Sequence, residues 1–355
     1  MSAHPVLARA AVLYRTGEPL VVESGIELPV LGRGQVRVRV AYAGLCHSQL
    51  MEVRGRRGPD PWLPHLLGHE ATGRVEAVGE GVAKVAPGQR VVLGWIRGAG
   101  IEAGGCQYRK GDVLINSGAV TAFGTRVVVS ENRCTPLPDG VPDDVGVLFG
   151  CALPTGAGMV LNTLQPEAGT TLVVLGLGGI GMSAMLAALT IPGVTVIAVD
   201  VEAHKLALAR ELGAHSVLDA ATQDVRAQVR ALSDGGAHYC VEAVGTVDSI
   251  ELGFELVRRG GGRLLFASHP QAGSTIRIDP YELICGKRIE GSWGGASAPD
   301  QDVPRFADWY RSGHMPLERL LDGRYPLDRI NEALDDLEAR RIVRALVDMQ
   351  GAHDA

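Results

Sequence analysis

The sequence predicts an α/β protein built from a β-rich part and a doubly wound parallel sheet. Three observations carry this. Before Thr155 the apolar residues recur with period two between turns, and after it continuous apolar runs alternate with helical stretches. A glycine-rich turn joins the first of those runs to the first of those helices. At 355 residues the chain is long enough for two domains that each bury a core.

Residues 36–42 (VRVRVAY) alternate as a half-buried strand does, and 73–78 (GRVEAV) and 126–129 read the same way, with turns such as Pro87-Gly88 between them. Thr171–Leu175 (TLVVL) is a buried strand followed by glycines and a helix. Next come strand 194–199 (VTVIAV), which leads into Asp200, helix 203–212 stopped by Gly213, strand 216–218 and a helix through Leu232. Strand 238–244, a helix after Asp248 and strand 262–267 (GRLLFA) complete the alternation. The remainder is helical and charged at 303–310 and 327–339, and closes with strand-like 342–347. The expected division is a β-rich domain of residues 1–155 completed by 296–355, around a parallel-sheet domain of 156–295.

Composition excludes several functions. The formal net charge is -6, which offers no basic surface to nucleic acid or an anionic membrane. No apolar stretch approaches the roughly 20 residues that span a bilayer, and residues 1–9 show no signal-type apolar core. A cytoplasmic location is expected. Cys46, Cys106, Cys134, Cys151, Cys240 and Cys285 lie far apart, which suits free thiols or metal ligands better than disulfides. Any one of them also reads as a small buried hydrophobe.

Gly176-Leu177-Gly178-Gly179-Ile180-Gly181 fits G-x-G-x-x-G between a strand and a helix. The glycines permit a tight turn, close approach of a pyrophosphate and close helix packing, and the helix N-terminus attracts the phosphates. Asp200 ends the next strand, where a carboxylate accepts both ribose hydroxyls of NAD and repels the 2′-phosphate of NADP. The cofactor read here is NAD. A glycine turn without nucleotide, with Asp200 only capping a helix, is the other reading.

Three further segments carry chemistry: Gly44-Leu45-Cys46-His47-Ser48 after a strand, Gly68-His69-Glu70, and Gly150-Cys151. Singly, each has an ordinary structural reading, as a core thiol, a turn or an interior residue. Together they supply two thiolates and one imidazole, a set suited to a zinc ion with one open position, as the general rules for zinc sites state for alcohol dehydrogenase itself.

These residues reach a known family. Gly68-His69-Glu70-Ala71-Thr72-Gly73, with Gly79 and Val82, resembles the signature G-H-E-x-x-G-x5-G-x2-V of zinc-containing alcohol dehydrogenases in the medium-chain dehydrogenase/reductase superfamily. Segments 44–48 and 150–156 resemble that family's first and third ligand regions, and the likeness runs from Ala11 to about Met349. It implies a GroES-like catalytic domain with a Rossmann coenzyme domain, and a zinc-dependent, NAD-linked alcohol or polyol dehydrogenase. Cys46, His69 and Cys151 would hold the zinc, with Glu70 behind it and able to exchange onto it. Ser48 would bond the substrate hydroxyl and begin a proton relay. Lys205 would contact the adenosine ribose, Arg344 the pyrophosphate, and His47 would lie near the cofactor phosphates. Zinc would acidify the alcohol as a Lewis acid, and hydride would pass to NAD.

The sequence departs from the family in three places. Segment 94–123 holds only Cys106 where many relatives have four cysteines for a structural zinc, so one catalytic zinc per chain and a metal-free loop are expected. Gln49 replaces the aspartate that accepts from the zinc-bound imidazole, and Met51 replaces a histidine at which some relatives end the relay. Arg54, Arg56 and Arg57 border the expected substrate cleft, where Arg56 and Arg57 could recognise an anionic group or form a solvated turn. Trp95 and Trp62 are candidate pocket walls. Segment 287–293 (KRIEGSW) resembles the edge that pairs in family dimers, so a homodimer or homotetramer is expected. The competing readings are a zinc-free reductase of the superfamily, which would lack the ligand set, and a non-catalytic relative, which would have lost a ligand or the glycine turn.

Overall fold

The computed structural model describes residues 5–268 and 270–352. The chain forms two compact units, Met1–Cys151 with Ala298–Ala355, and Ala152–Ser297. In chain order the first unit begins with β1 (Leu7–Leu13), β2 (Val21–Glu27), β3 (Gln35–Leu45), helix α1 (His47–Val53), β4 (His65–Leu66), β5 (Ala71–Val78) and β6 (Arg90–Leu93). It continues through β7 (Cys106–Lys110), β8 (Val113–Ser117), β9 (Arg126–Ser130), β10 (Cys134–Pro136) and the short α2 (Asp143–Gly146). The second unit holds α3 (Ala152–Gly158), β11 (Thr171–Leu175), α4 (Gly179–Leu189), β12 (Thr195–Asp200), α5 (Ala203–Glu211), β13 (Ser216–Asp219) and α6 (Val225–Leu232). After these come β14 (Tyr239–Glu242), α7 (Val247–Leu256), β15 (Arg263–Phe266), α8 (Pro280–Ile284) and β16 (Arg288–Gly291). The chain then returns to the first unit with α9 (Pro299–Arg311), β17 (Gly323–Pro326), α10 (Ile330–Glu338) and β18 (Ala345–Asp348).

β3 organises the first unit. Val36, Val38 and Val40 are fully buried, while Arg37 and Arg39 point the other way and Arg37 pairs with Glu76 at 3.2 Å. This alternation explains how one strand can lie on a core and still keep its charges wet. The sheet runs β10-β6-β5-β3-β18-β17, with β9 also on β3. Its register places Ala71 opposite Ala43, Leu93 opposite Ala71, and Ala345 opposite Leu45. The residues just outside these pairs, Cys46, Glu70 and Arg344, therefore come together at one end of the sheet.

β1-β2-β7-β8-β4 close a barrel. Segment 94–123 is thus more than the loop expected from the sequence, because it contains the β7–β8 hairpin. Tyr108 and Ile115 face the barrel core at 1% and 0% exposure, and the Tyr108 hydroxyl accepts from Val128 N–H at 2.6 Å. These two buried side chains on facing strands pack the hairpin against the barrel core.

The second unit contains a parallel sheet, β13-β12-β11-β14-β15-β16. Counted along this unit its order is 3-2-1-4-5-6, that of a dinucleotide-binding sheet. All of Thr171–Leu175 is buried, as a central strand covered on both faces requires. The order reverses between β11 and β14, so the ends of those strands open a crevice beside the glycine turn. No single helix among the described residues is long and apolar enough to cross a membrane.

Candidate active site

β3 ends at Leu45, and Cys46 then caps α1 in an extended conformation. Gly44 N–H donates to Glu70 O at 3.0 Å, which ties the His69-Glu70 turn to the end of β3. A Cβ on Gly44 would stand 2.6 Å from the Glu70 carboxyl carbon, so only glycine leaves room for that carboxylate. Cys46, His69, Glu70 and Cys151 bring one ligand atom each to within 4.8 Å of one another, and His69 Nε2 lies 3.1 Å from Cys151 Sγ. The Cys46 thiol is held well below its ordinary range, first by its hydrogen bond with Cys151. His69 and Arg344 lower it further, against the opposing effect of burial. Thiolate character is what a metal ligand needs.

Glu70 is fully buried and ion-paired through Oε1 with the buried Arg344 side chain, while Oε2 has no hydrogen-bond partner. A buried carboxylate with unfilled lone pairs beside two thiols and an imidazole fits a divalent cation of zinc's ligand preference.

Gln49 occupies the place beyond the imidazole, but not in the expected sense. Its amide nitrogen lies 2.5 Å from His69 Nδ1, while its oxygen accepts from Cys46 N–H at 3.3 Å. A carboxamide can fill both places at once because it carries a donor and an acceptor, whereas the expected reading used only the acceptor. Ser48 Oγ is 3.4 Å from the same Nδ1, and His47 is exposed at the start of α1.

In the second unit Gly176 has φ 91°, a conformation suited to glycine, and a Cβ on Gly181 would strike Gly176 O. Gly178 caps α4 and has open space where its Cβ would be, with Gly179 and Ile180 opening the helix. Asp200 Oδ2 accepts from Leu177 N–H at 2.6 Å, and Oδ1 from Val201 and Glu202 N–H at 2.8 and 3.0 Å. The carboxylate therefore anchors the glycine turn. Lys205 is buried on α5.

Two family profiles match the chain, "Alcohol dehydrogenase GroES-like domain" over residues 32–139 and "Zinc-binding dehydrogenase" over 179–312. The chain belongs to the zinc-dependent alcohol dehydrogenase family. It is 28% identical over 370 residues to a probable S-(hydroxymethyl)glutathione dehydrogenase 1 of Schizosaccharomyces pombe, covering 97% of each chain. It is also 28% identical over 377 residues to an alcohol dehydrogenase class-3 of Myxine glutinosa, covering 98% of this chain and 100% of that one. Among solved structures, the benzyl alcohol dehydrogenase of Acinetobacter calcoaceticus is similar with TM-score 0.88 and 28% identity, over 97% of this chain and 99% of that one.

Around the cluster, this dehydrogenase shows what sequence reading missed. Arg56 pairs with Glu338 at 2.6 Å, and Arg54 reaches Asp335 at 2.6 Å and Glu338 at 2.8 Å, so α10 already offsets two of the three arginines. Arg57 is 3.9 Å from Glu52. Trp95, two residues after β6, is half-buried and its carbonyl accepts from Arg133, while Trp62 is largely exposed. Glu52, Asp60 and His65 form a second group whose ligand atoms lie within 4.8 Å of one another. These three belong to a helix, a turn and a two-residue strand. No periodicity links such positions, so the chain gave no signal for the group.

Asp200→Ala is expected to raise the KM for NAD by about 10²-fold and to narrow its advantage over NADP. Two hydrogen bonds to a charged acceptor are worth about 1.5–3 kcal/mol each, and the repulsion of a 2′-phosphate is lost with them. Initial rates with both cofactors check this, and an unchanged preference would remove Asp200 from ribose recognition.

Proposed function

We propose that this enzyme oxidises a neutral small alcohol or polyol reversibly with NAD, and that Cys46, His69 and Cys151 hold one catalytic zinc per chain. The observation that carries the reading is the convergence of two thiols, an imidazole and a buried, unsatisfied carboxylate within 4.8 Å. When bound, the zinc supplies Lewis acidity that eases loss of the alcohol proton, and NAD supplies the hydride acceptor. Glu70, neutralised by Arg344, can approach or leave the ion without carrying an unpaired charge. His69 can offer Nε2 to a metal only if Nδ1 carries its proton, which calls for Gln49 to turn its amide oxygen toward that proton. Ser48 takes the substrate hydroxyl proton at Oγ.

In the coenzyme domain, Gly176, Gly178, Gly179, Ile180 and Gly181 present N–H groups to the pyrophosphate, and Asp200 and Lys205 face the adenosine ribose. Arg344, expected at the phosphates, is instead buried and ion-paired with Glu70. Trp95 is proposed as a wall of the substrate pocket. An anionic substrate finds less support, because Arg56 and Arg54 are already engaged by carboxylates of α10.

One cysteine, Cys106, in segment 94–123 is too few for a structural zinc, and the β7–β8 hairpin packs through Tyr108 and Ile115 instead. A homodimer or homotetramer is supported by the edge position of β16, with Ile284 and Trp293 nearby at 79% and 84% exposure. The formal net charge of -6 gives no electrostatic support for a nucleic-acid partner.

The deciding experiment combines metal analysis with NAD-linked turnover on neutral, cationic and anionic alcohols. One zinc per chain with preference for neutral alcohols is the expected result. Two zincs would overturn the account of segment 94–123, and no zinc in active protein would point to the zinc-free reductases. Preference for anionic alcohols, lost in Arg57→Ala, would overturn the neutral substrate.

A further inference from the structure

We propose that Glu52 is the proton exit of this enzyme, receiving from Ser48 the proton released by the substrate and passing it to solvent. The inference rests on the alcohol dehydrogenase reading above and deepens it.

Met51 has no titratable group, so a relay that starts at Ser48 needs another terminus. Ser48 and Glu52 are four residues apart on α1 (His47–Val53), which puts them on one face of the helix about 5–6 Å apart at Cβ, within reach of a single bridging water. Ser48 Oγ lies 3.4 Å from His69 Nδ1, so the start of the relay neighbours the metal-binding cluster. The Glu52 side chain retains 25% exposure, which gives the proton a way out.

The surroundings of Glu52 are built. His65 is buried, with Nε2 2.8 Å from Asp60 Oδ2 and Nδ1 3.0 Å from Leu66 O, so both ring nitrogens face oxygen acceptors. Asp60 Oδ1 in turn accepts from Trp62 N–H at 2.9 Å. This clamped pair stands beside the Glu52 carboxylate, and Arg57 lies 3.9 Å from it. Burial, chiefly, holds the Glu52 carboxyl above its usual range. Asp60 adds to this, while Arg57, His65 and His69 oppose it. A carboxylate shifted toward neutrality accepts a proton more readily at working pH than an ordinary surface glutamate.

The step balances. The alcohol O–H proton passes to Ser48 Oγ as the Ser48 hydroxyl proton passes to a Glu52 carboxylate oxygen. The C–H bond breaks with its electron pair going to the nicotinamide, so the alcohol is oxidised by two electrons to a carbonyl and NAD is reduced. The Glu52 carboxylic acid then releases one proton to solvent.

The test is Glu52→Gln in the zinc-loaded enzyme, with zinc content and thermal melting measured alongside. The expected result is retained zinc and fold, with alcohol oxidation slowed by about 10²-fold and restored in proportion to added formate or imidazole. In wild-type protein, with and without zinc, the 13C signal of the Glu52 carboxyl should titrate above the ordinary glutamate range. Wild-type turnover in Glu52→Gln without new dependence on buffer would overturn the proposal. So would a slow variant that small acids and bases cannot rescue, because that marks a structural role. Full activity in Cys46→Ala would instead overturn the zinc reading on which the proposal stands.

Discussion

Cys46→Ala is expected to remove the zinc and lower turnover by about 10³-fold or more, while leaving NAD binding intact. A catalytic zinc held by three protein ligands would lose one of its two thiolates, and with it several kcal/mol of Lewis-acid stabilisation. Each 1.36 kcal/mol is a factor of ten in rate, so the stated loss corresponds to about 4 kcal/mol. The deletion also reaches its neighbours. The Cys46 thiol hydrogen-bonds with Cys151, and His69 Nε2 is 3.1 Å from Cys151 Sγ, so removing Cys46 leaves the remaining donors to rearrange around a gap. Nucleotide binding draws on the glycine turn of the other unit and should survive. Zinc by elemental analysis, turnover at saturating NAD and NADH fluorescence titration separate the outcomes. Retention of zinc and rate in this variant would show that the cluster is not the metal centre.

Arg344→Met is the change expected to cost most stability. Arg344 is 4% exposed, and its guanidinium pairs with Glu70, which is fully buried. Breaking a buried pair from one side leaves an uncompensated charge and costs about 3–5 kcal/mol, which at this size lowers the melting temperature by roughly 10 °C. The loss should be greatest in zinc-free protein, because a bound divalent ion would itself neutralise Glu70. Adding Glu70→Gln should recover most of the stability by removing the stranded charge. Thermal melts of the single and double variants, with and without zinc, check each arm. A single variant within 1 kcal/mol of wild type would mean that Glu70 is protonated or solvated despite its burial.

The elements read most securely from sequence were those with long, uniform patterns. Thr171–Leu175 was predicted with its observed ends, and the strand at 36–42 lies within Gln35–Leu45. β1, β2, β4, β7, β8, β10 and β17 escaped notice because they are short or irregular in burial, and β4 has only two residues. Such strands are made by their partners in the barrel and the sheet, not by their own periodicity. The hairpin in segment 94–123 is the clearest case. That the segment holds a single cysteine was visible, but the inward pairing of Tyr108 and Ile115 belongs to barrel closure.

The same division runs through the site. The sequence alone determined the chemistry on offer: two thiolates, an imidazole and a carboxylate in motif order, and a glycine turn followed by an acidic strand end. Those signals are legible because metal ligation and pyrophosphate approach each demand particular residue types at particular local spacings. Only the tertiary structure decided who partners whom. It set Arg344 on Glu70, the Gln49 amide nitrogen on His69, the arginines of the 54–57 turn against α10, and Glu52 beside Asp60 and His65. These pairings join residues up to 284 positions apart. They follow from strand register and helix packing, which act through space and leave no periodic trace along the chain.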